Sequence, residues 1–479
     1  MAKGLSHGGI LQKIKPEVDM EPPLSQLLYC TNDGGKVLRP NMVYLDLAEK
    51  LVAQIKSGEI PPGSRLPTHR AFAEQNGVAL ATATRAYKTL KQRSFIVGER
   101  GRGMFVRNPE LPLTLGIEQF EDAPPVDLVF NMPADPGDGD VLRSGLRWLA
   151  RRGDLNSVLR YQPHGGVLSE RRTIAAYLSN RVGKIDAENL FITSGAQHGL
   201  SIVALGLLKR GDIVATDQLT YPGFRAVVGL RDLSLHSVAE REGSMNPESL
   251  LRLCKTKSVR AVYLTPTVHN PLGSVMDEKT RREIVAVARH FDLLIIEDGA
   301  YDFLETDPPP SFLQLAPERS VYIGGVSKVL ATGLRLGYIV VPPDLAGAVT
   351  MAIRATTWNT PAVITALVTH WIEDGSILEF ENRRREAGAR GQRLCQEYLN
   401  GYDICSHQYA SFTWVRLPKR KRADPIVAML ADRGVAVSSA EPYAVPPGTD
   451  NALRLAFGGI SEEGLRLSLK SICKVVDMA

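Results

Sequence analysis

Three side chains in the second half of the chain have the types and positions that aldehyde chemistry needs. Lys328 follows the strand-like run that ends at Gly325-Val326-Ser327, and a lysine amine at a strand end can form a Schiff base with an aldehyde. Arg335 lies seven residues later, and its planar guanidinium suits a phosphate group. Asp298 ends an apolar run, where a carboxylate can keep a pyridinium nitrogen protonated. Together they predict a site for a phosphorylated pyridine aldehyde, pyridoxal 5'-phosphate (PLP).

Two further motifs place polar groups beside these three side chains. One motif runs from Thr265 to Gly273 and follows the strand-like run 261–264. The other runs from Thr193 to Gln197 and leads from a strand into a helix, whose first backbone amides can bind a phosphate. Each motif alone is common and is more often structural. Their occurrence in this order strengthens the prediction of a PLP site.

The elements that position these residues are short apolar runs that alternate with longer amphipathic stretches from Leu128 onwards. Such runs are typical of buried parallel strands joined by helices. They lie at 190–193, 212–215, 261–264, 293–296 and 321–323. The pattern predicts a large α/β domain over residues 128–479, built on a mostly parallel central sheet.

This series of motifs resembles the fold-type I aminotransferases, and the resemblance covers nearly all of residues 128–479. It implies a PLP-dependent transferase fold with a smaller C-terminal α+β subdomain. It also implies that Lys328 is the catalytic residue and forms the internal aldimine. The residues that the resemblance assigns to the rest of the cofactor are Asp298 for the ring nitrogen, Asn270 and Tyr301 for the phenolic oxygen, Tyr221 for stacking on the ring, and Gly195, Ala196, Gln197 and Arg335 for the phosphate.

The same resemblance assigns two more residues and shows two departures. Tyr161 matches a tyrosine that reaches the phosphate of the neighbouring subunit, which implies a dimer with shared sites. Arg454 matches the arginine that binds a substrate α-carboxylate, for which its fork of donors is suited. Gly325 stands where the family usually has Ser or Thr, and Leu272 replaces the threonine of the usual Asn-Pro-Thr-Gly. The first departure removes a hydroxyl from the phosphate site and the second removes one from a tight turn.

The first part of the chain carries a compact basic segment at residues 41–107. This segment has 11 Lys and Arg against 5 Asp and Glu, a net charge of +6 in a chain whose total is +5. Apolar spacing predicts helices over residues 44–57, 69–75 and 79–93, with Thr68 capping the second. Residues 95–97 and 104–106 predict two strands around a glycine-rich basic tip. Three helices and a wing make a winged helix-turn-helix, and its charge is typical of a nucleic-acid-binding module.

The stretch from Pro62 to Arg70, with Gly77-Val78 and residues 100–103, resembles the GntR family of bacterial transcription factors. The resemblance implies DNA contacts from six residues: Arg65, Arg70, Thr82, Thr84, Arg100 and Gly101. Ala79-Leu80 departs from the Ser-Arg that many members carry at the start of the recognition helix, which leaves the base preference open. The alternative is a winged helix used for protein contacts or dimerisation, or a charged face that is only solvated.

Two segments without clean periodicity complete the chain. Residues 1–40 predict a flexible N-terminal extension, and the proline-rich, acidic stretch 108–127 predicts a linker. A GntR-like winged helix joined to an aminotransferase-like domain is the layout of the MocR subfamily of bacterial regulators. This resemblance spans about residues 41–479.

The MocR resemblance implies a transcription regulator whose large domain senses PLP or an amino compound by aldimine exchange, and thereby alters promoter binding. The expected partners are double-stranded DNA with repeated half-sites, a small amino-compound effector or PLP, and a second copy of the chain. The alternative is an active PLP-dependent aminotransferase with an appended DNA-binding domain. We expect no sustained turnover, although the polar groups for transamination are present.

Composition excludes several other classes of protein. With 44% apolar and 23% charged residues, the chain is globular rather than disordered or fibrous. No run approaches the about 20 apolar residues of a membrane helix. The five cysteines are scattered and no signal sequence is visible, so we expect a cytoplasmic protein. His164, His198 and His269 lack metal-ligand spacing, so no metal site is expected, and the arginine run 383–385 is expected to be a solvated helix face.

Overall fold

The computed structural model describes residues 43–61, 64–93, 95–99, 103–106, 126–133, 137–153, 155–446, 448 and 450–478. The extension predicted for residues 1–40 and nearly all of the linker predicted for residues 108–127 lie outside the described residues. So do Arg100 and Gly101, two of the six predicted DNA-contact residues.

The first group of elements is three helices followed by a two-stranded wing. Their bounds are α1 Val43–Lys56, α2 His69–Gln75, α3 Leu80–Gln92, β1 Ile96–Glu99 and β2 Gly103–Val106. The Thr68 side chain accepts a hydrogen bond from the backbone N of Ala71 at 3.2 Å and so caps α2 as predicted. β1 and β2 pair antiparallel. The predicted winged helix-turn-helix is confirmed.

The winged helix has an apolar core of its own. Leu51 and Ile55 of α1 are buried against Phe72 and Leu90, because the apolar side chains of each helix recur on one face. The buried Tyr87 donates its hydroxyl hydrogen to the carbonyl oxygen of Pro67 at 2.9 Å. This bond fixes α3 against the turn before α2 and leaves the polar face of α3 at the surface.

The large region contains fifteen further strands among the described residues. They are β3 Val126–Asp127, β4 Leu190–Thr193, β5 Ile213–Asp217, β6 Ser234–Val238, β7 Glu240–Arg241, β8 Ser244–Met245, β9 Val259–Leu264, β10 Leu294–Asp298, β11 Ser320–Gly325, β12 Gly337–Val340, β13 Asp403–Cys405, β14 Phe412–Arg416, β15 Val435–Ala436, β16 Ser438–Ser439 and β17 Ala452–Ala456. Seven of them form one sheet in the order β4-β12-β11-β10-β9-β5-β6. Within it β12 alone runs antiparallel to its neighbours. The predicted mostly parallel sheet is confirmed.

The large region contains twelve further α-helices among the described residues, and those between β4 and β11 connect strands of the seven-stranded sheet. The twelve are α4 Asp138–Ala150, α5 Leu168–Val182, α6 Ala196–Gly206, α7 Pro222–Leu230, α8 Pro247–Thr256, α9 Glu278–His290, α10 Phe312–Leu315, α11 Ala346–Thr356, α12 Ala362–Glu373, α13 Ser376–Tyr398, α14 Ala423–Ala431 and α15 Glu462–Met478. Every residue of β10 is buried, as expected for a parallel strand covered on both faces.

A second, smaller sheet forms near the end of the chain. β13, β14, β17 and β16 pair antiparallel in that order. Residues of α13, α14 and α15 share one apolar core with this sheet. This is the smaller C-terminal α+β subdomain that the sequence predicted. In the part of the chain that the structure describes, no helix has the length and apolar character to span a membrane.

Candidate cofactor pocket and nucleic-acid interface

A cavity of about 180 Å³ opens where β4, β9, β10 and β11 end. Ligand sites of open α/β sheets form at the carboxyl ends of parallel strands, because the loops that follow the strands diverge there. Nine residues predicted for the site line the cavity: Ala196, Gln197, Tyr221, Asn270, Asp298, Tyr301, Lys328, Arg335 and Arg454. The structure thus brings most of the predicted site together.

The amine of Lys328 is held by a residue that the sequence did not single out. Its Nζ donates a hydrogen bond to the backbone oxygen of Asn131 at 2.6 Å, and Nζ lies 6.0 Å from the centre of the Tyr301 ring. The side-chain amide of Asn131 donates to the Tyr301 hydroxyl oxygen at 3.2 Å. Asn131 therefore positions both groups. Its segment has no periodicity or motif that indicated this role.

Tyr301 is buried within the cavity, and two cations act on its hydroxyl. Burial raises the pKa of a phenol because it disfavours the charged form. Lys328 and Arg454 outweigh burial, and the pKa of Tyr301 lies below its ordinary value. A phenol with a lowered pKa is a strong hydrogen-bond donor toward an anionic oxygen.

Asp298, at the end of β10, is the carboxylate of the cavity. It is buried, and its Oδ1 accepts a hydrogen bond from the backbone N of Ala300 at 3.0 Å. Burial raises the pKa of Asp298, because a carboxylate out of water favours its neutral form. A cationic partner reverses that preference, and a protonated ring nitrogen is such a partner.

The start of α6 and the side chain of Arg335 form the anion-binding end of the cavity. Gly195, with φ +88°, precedes α6, and the first amides of a helix have no partner within the helix. A Cβ at Gly195 would lie 2.8 Å from the Arg335 guanidinium, so the glycine allows the arginine to approach. Arg335 Nη1 donates to Ser327 Oγ at 3.4 Å. A helix N-terminus beside a guanidinium suits a phosphate.

Packing around Gly325 and Leu272 accounts for the two departures from the family motifs. A Cβ at Gly325 would lie 2.9 Å from the carbonyl oxygen of Leu336 and 3.4 Å from the backbone N of Ala196, which leaves no room for a side chain there. Leu272 is buried and belongs to the same apolar cluster as Trp414. Apolar contacts thus take the place of a hydroxyl at the turn after β9.

Arg454 reaches the cavity from β17 of the smaller sheet. Arg454 is only 3% exposed. Its guanidinium lies 4.9 Å from the ring centre of Phe412 and 5.6 Å from that of Tyr443. Nη1 donates to the backbone oxygen of Val129 at 3.1 Å. No carboxylate forms an ion pair with this guanidinium among the described residues, and a buried charge without a counter-ion is costly. The position therefore suits an anionic group of a ligand.

Four buried polar atoms around the cavity lack a hydrogen-bond partner among the described residues. They are Asn131 Oδ1, Gln197 Oε1, Asn270 Oδ1 and Arg454 Nε. A buried polar atom left unpaired costs about 1–3 kcal/mol, so their grouping around one cavity indicates a polar ligand. An aldehyde-binding amine, a buried carboxylate and an anion-binding end in the same cavity fit PLP.

Two predicted cofactor residues do not line the cavity: Gly195 directly precedes the lining residue Ala196, whereas Tyr161 lies away from the cavity. Tyr161 is 85% exposed, and its ring centre lies 5.7 Å from that of Trp358. The sequence also missed Val129, Phe130 and Tyr443, which line the cavity. Their neighbouring residues carry no chemical motif, and only the fold brings them to the site.

The solvated face predicted for the arginine run 383–385 is wrong. Arg384 is 3% exposed, and it donates hydrogen bonds to the backbone oxygen of Val329 at 3.0 Å and to Asp138 Oδ2 at 2.7 Å. Charge alone suggested exposure, whereas these acceptors satisfy the guanidinium inside the protein. Arg384 therefore fixes the loop immediately after Lys328.

The three histidines near the pocket motifs make contacts within the protein. His164 bonds to the backbone oxygen of Trp358 at 2.9 Å, His198 to Thr356 Oγ1 at 2.8 Å, and His269 lies 3.6 Å from Asp217. Burial lowers the pKa of His198. Within the described ranges, no group of three or more His, Cys, Asp or Glu side chains has a metal-binding arrangement.

The four predicted DNA-contact residues that the structure describes lie on or beside α2 and α3. Arg65, Arg70 and Thr84 are exposed, and Thr82 is half-buried. Arg65 forms a β-bridge with Phe105 of β2, which places it beside the wing. Thr84 Oγ1 donates to the Leu80 carbonyl oxygen at 2.8 Å. A helix that presents such a polar face can enter a major groove.

Two family models match the chain. Residues 126–472 match the model described as aminotransferase class I and II, and residues 43–106 match the model described as bacterial regulatory proteins, gntR family. The two matched ranges correspond to the large α/β region and to the winged helix.

Several named proteins are similar to the chain over most of its length. The HTH-type pyridoxine biosynthesis transcriptional regulator PdxR of Corynebacterium glutamicum is 25% identical over 450 residues, which cover 92% of this chain and 97% of PdxR. The uncharacterized HTH-type transcriptional regulator YdeF of Bacillus subtilis is 25% identical over 403 residues, 84% of this chain and 87% of YdeF. The 2-aminoadipate transaminase of Thermus thermophilus is 26% identical over 336 residues, 68% of this chain and 83% of that enzyme.

Solved structures share the fold of the large region. The crystal structure of an archaeal alanine:glyoxylate aminotransferase superposes with a TM-score of 0.69 at 23% identity, covering 74% of this chain and 91% of that one. PLP is the cofactor of this fold and family, in agreement with the groups around the cavity. The chain therefore belongs to the class I and II aminotransferase family, and its gntR-family winged helix gives it the layout of the MocR subfamily of regulators.

Proposed function

We propose that the protein is a PLP-dependent transcription regulator in which residues 41–107 bind DNA and residues 128–479 bind the cofactor and sense an effector. One observation carries the proposal: the chain combines a cavity with unpaired buried polar atoms with a winged helix whose charged face is exposed. A small-molecule site and a DNA-contact surface on the same chain are the two sites that a ligand-controlled regulator requires.

Each cavity residue has a role toward the cofactor that its position supports. Bound PLP supplies an aldehyde that bonds reversibly to amines, and a pyridine ring that withdraws electrons. Lys328 carries the cofactor, Asp298 pairs with the ring nitrogen, and Asn270 and Tyr301 bind the phenolic oxygen. The remaining roles are stacking on the ring by Tyr221 and binding of the phosphate by Gly195, Ala196, Gln197 and Arg335.

The effector is an amino compound, or PLP itself. PLP held at Lys328 would allow recognition of amines, because its aldehyde bonds reversibly to them, and the Lys328 Nζ has an alternative partner in the Asn131 carbonyl oxygen at 2.6 Å. Arg454 binds the carboxylate of an amino-acid effector. Such an effector changes promoter binding only by the difference in its affinity for the two arrangements of the protein.

We further propose a homodimer in the cytoplasm. Tyr161 is exposed and lies away from its own cavity, and the apolar side chains of Leu146, Leu159 and Trp358 are also more than 40% exposed. A second copy that covers these side chains brings each Tyr161 to the phosphate of the other subunit. Two-fold symmetry in turn predicts repeated half-sites in the DNA.

The second candidate function is an active aminotransferase with an appended DNA-binding region. The lowered pKa of Tyr301 and the presence of Lys328, Asp298 and Arg454 in one cavity favour it, and so does the similarity to a 2-aminoadipate transaminase. The winged helix favours the regulator over the enzyme, because transamination does not require a DNA-contact surface.

The test measures DNA binding and turnover on one preparation of the PLP-loaded full-length protein. Fragments selected from a random DNA pool are titrated with and without a panel of amino acids. A regulator changes its affinity for DNA about 5-fold or more with an effector, and forms no keto acid beyond one equivalent per site. Lys328→Ala is expected to remove this response, whereas Lys184→Ala, at an exposed lysine, keeps it. Brisk turnover with unchanged DNA affinity would show that the protein is an enzyme.

A further inference from the structure

A buried tyrosine on the strand next to Asp298 contacts the carboxylate from behind the cavity. Tyr263 is 0% exposed, and its hydroxyl donates a hydrogen bond to Asp298 Oδ2 at 2.7 Å. In the sheet, Tyr263 of β9 pairs with Ile296 of β10, two residues before Asp298. Side chains two residues apart on a strand share a face, so the register alone brings the phenol to the carboxylate. Tyr263 does not line the cavity.

The position of the Tyr263 ring is fixed by its neighbours. Its ring stacks on Phe224 of α7 with centroids 4.0 Å apart and an angle of 19° between the planes. Phe224 is itself fully buried. Because stacking restricts rotation of the ring, it holds the phenolic oxygen within hydrogen-bond distance of Asp298 Oδ2.

The hydrogen bond opposes the effect of burial on Asp298. The carboxylate has two described donors, the backbone N of Ala300 on Oδ1 and the Tyr263 hydroxyl on Oδ2. A donor stabilises the ionised carboxylate, whereas burial favours the neutral acid. The two donors also fix the plane of the carboxylate relative to the cavity.

We propose that Tyr263 is a positioning residue that keeps Asp298 ionised and oriented, so that the proton shared with the cofactor resides on the ring nitrogen. This inference rests on the pairing of Asp298 with the ring nitrogen that is part of the proposed function. Without the phenol, Asp298 becomes more basic and draws that proton to itself. The ring then loses its positive charge although every residue that lines the cavity is unchanged.

Tyr263→Phe tests this inference, because it removes one oxygen and keeps the ring. The readout is the visible absorption band of the PLP-loaded protein, which reports protonation of the imine between Lys328 and PLP. The quantity measured is the midpoint, the pH at which half of this imine has lost its proton. A charged ring nitrogen makes the nearby imine less basic, so loss of that charge moves the midpoint to higher pH, by about half a unit or more. The nitrogen-15 chemical shift of ring-labelled PLP reports the protonation of the same nitrogen directly.

Tyr322→Phe is the matched control. Tyr322 is a buried tyrosine on β11 whose hydroxyl donates to Asp302 Oδ2, and Asp302 does not line the cavity. Both variants lose a phenolic hydroxyl from a buried tyrosine bonded to an aspartate. We expect the control to move the midpoint and the nitrogen-15 shift less than Tyr263→Phe does, because Asp302 acts on Asp298 only through its charge.

Asp298→Asn separates failure of this inference from failure of the proposed function. A midpoint that moves in Asp298→Asn but not in Tyr263→Phe overturns the role of Tyr263 alone. A midpoint that stays in place in Asp298→Asn shows that the ring nitrogen is not at Asp298, and both proposals fall. Equal shifts in Tyr263→Phe and Tyr322→Phe show a structural effect and overturn the inference. If Tyr263→Phe does not fold, 3-fluorotyrosine at position 263 replaces it in the test. This residue is a stronger hydrogen-bond donor than tyrosine, so it is expected to move the midpoint to lower pH. An unchanged midpoint would overturn the inference.

Discussion

The winged helix and the cofactor cavity present their binding groups in opposite ways. On the winged helix, Arg65, Arg70 and Thr84 are exposed, and the apolar core beneath them is formed by other residues. In the cavity, Asp298, Tyr301 and Arg454 are buried and hydrogen-bonded to other parts of the chain. Binding and stability are therefore separable in the first region and linked in the second. We therefore expect substitutions in the two regions to differ in their effects.

The largest expected effect follows from replacing Lys328 with alanine. The cavity loses its only described lining amine, so the absorption band of the Schiff base between PLP and the chain disappears, and only the band of PLP with a free aldehyde remains. Absorption spectra of the protein titrated with PLP measure this. DNA binding without effector stays within about twofold of the wild-type protein, because the substitution is within a site that contributes no DNA contact. A Schiff-base band that persists in Lys328→Ala would place the bond to the cofactor on another amine.

Glu297, next to Asp298, is expected to make the large region less stable as pH rises. Burial raises the pKa of Glu297 to about 7 although Arg281 lowers it. The folded protein thus binds more protons than the unfolded chain between pH 4.5 and about 7, and stability falls across that window. Glu297→Gln removes this decrease in the free energy of unfolding, which amounts to about 3 kcal/mol at pH 8.

Chemical denaturation at pH 5 and pH 8 measures this effect of Glu297. Glu318→Gln is the control, since a hydrogen bond from Arg289 lowers the pKa of Glu318 to about 2. The stability that Glu318 contributes is lost only as pH falls below its unfolded value, so its removal leaves the difference between pH 5 and pH 8 unchanged. If the free energy of unfolding changed equally between pH 5 and pH 8 in wild type and in Glu297→Gln, Glu297 would be ionised in the folded protein.

Arg454→Met is expected to weaken the response to amino-acid effectors about 10- to 100-fold, since a hydrogen bond to a charged group contributes about 1.5–3 kcal/mol. The spectral shift of the PLP-bound protein during effector titration gives this affinity. Arg416→Met, at an arginine of the same small sheet that pairs with Asp403 and Asp450, leaves the affinity unchanged. An amine without a carboxylate should bind both variants equally.

Arg70→Ala is expected to weaken DNA binding without a change in stability. One lost phosphate contact reduces the slope of log affinity against log salt by about 0.9, and a substitution on an exposed surface changes stability by about 0.5 kcal/mol or less. Anisotropy titrations at several salt concentrations and a thermal melt measure the two. Arg143→Ala, on α4 and paired with Asp140, serves as the control with an unchanged slope.

The smallest effect concerns Leu80, the first residue of α3, which is 45% exposed. An exposed leucine at the start of a recognition helix suits the methyl group of thymine. Replacing dT by dU within a selected fragment is therefore expected to weaken wild-type binding less than about tenfold, which is the scale of one base contact. Leu80→Ala abolishes the difference between the two DNAs. An unchanged difference would assign methyl recognition to another residue.

The elements of both regions were predictable from sequence because their periodicity is local. Apolar spacing placed α1 and α3 within one residue of their observed ends, and strand-like runs marked the core of the central sheet. The chemistry of Lys328, Asp298 and Arg335 was predictable for the same reason, since each follows a strand or lies in a short motif.

Contacts between distant segments were not predictable from sequence. Asn131 and Lys328 are 197 residues apart and meet only in the folded chain. Arg384 belongs to a run whose charge indicated solvent, yet its acceptors lie on the loop after Lys328 and on α4. The bond from Tyr263 to Asp298 depends on the register of β9 against β10, which composition does not specify.

The glycine pair between β11 and β12 limits how the site can be altered. Gly325 pairs with Gly337, and a Cβ at Gly337 would lie 2.4 Å from the backbone carbon of Gly195. Gly325→Ser, which restores the hydroxyl that the family usually has, therefore places its new atom against the carbonyl oxygen of Leu336. A variant with that hydroxyl therefore requires a shift of the Leu336 carbonyl, immediately before β12, away from residue 325. A phosphate site with the usual hydroxyl thus requires a shift of the backbone before the side chain at position 325 can be changed.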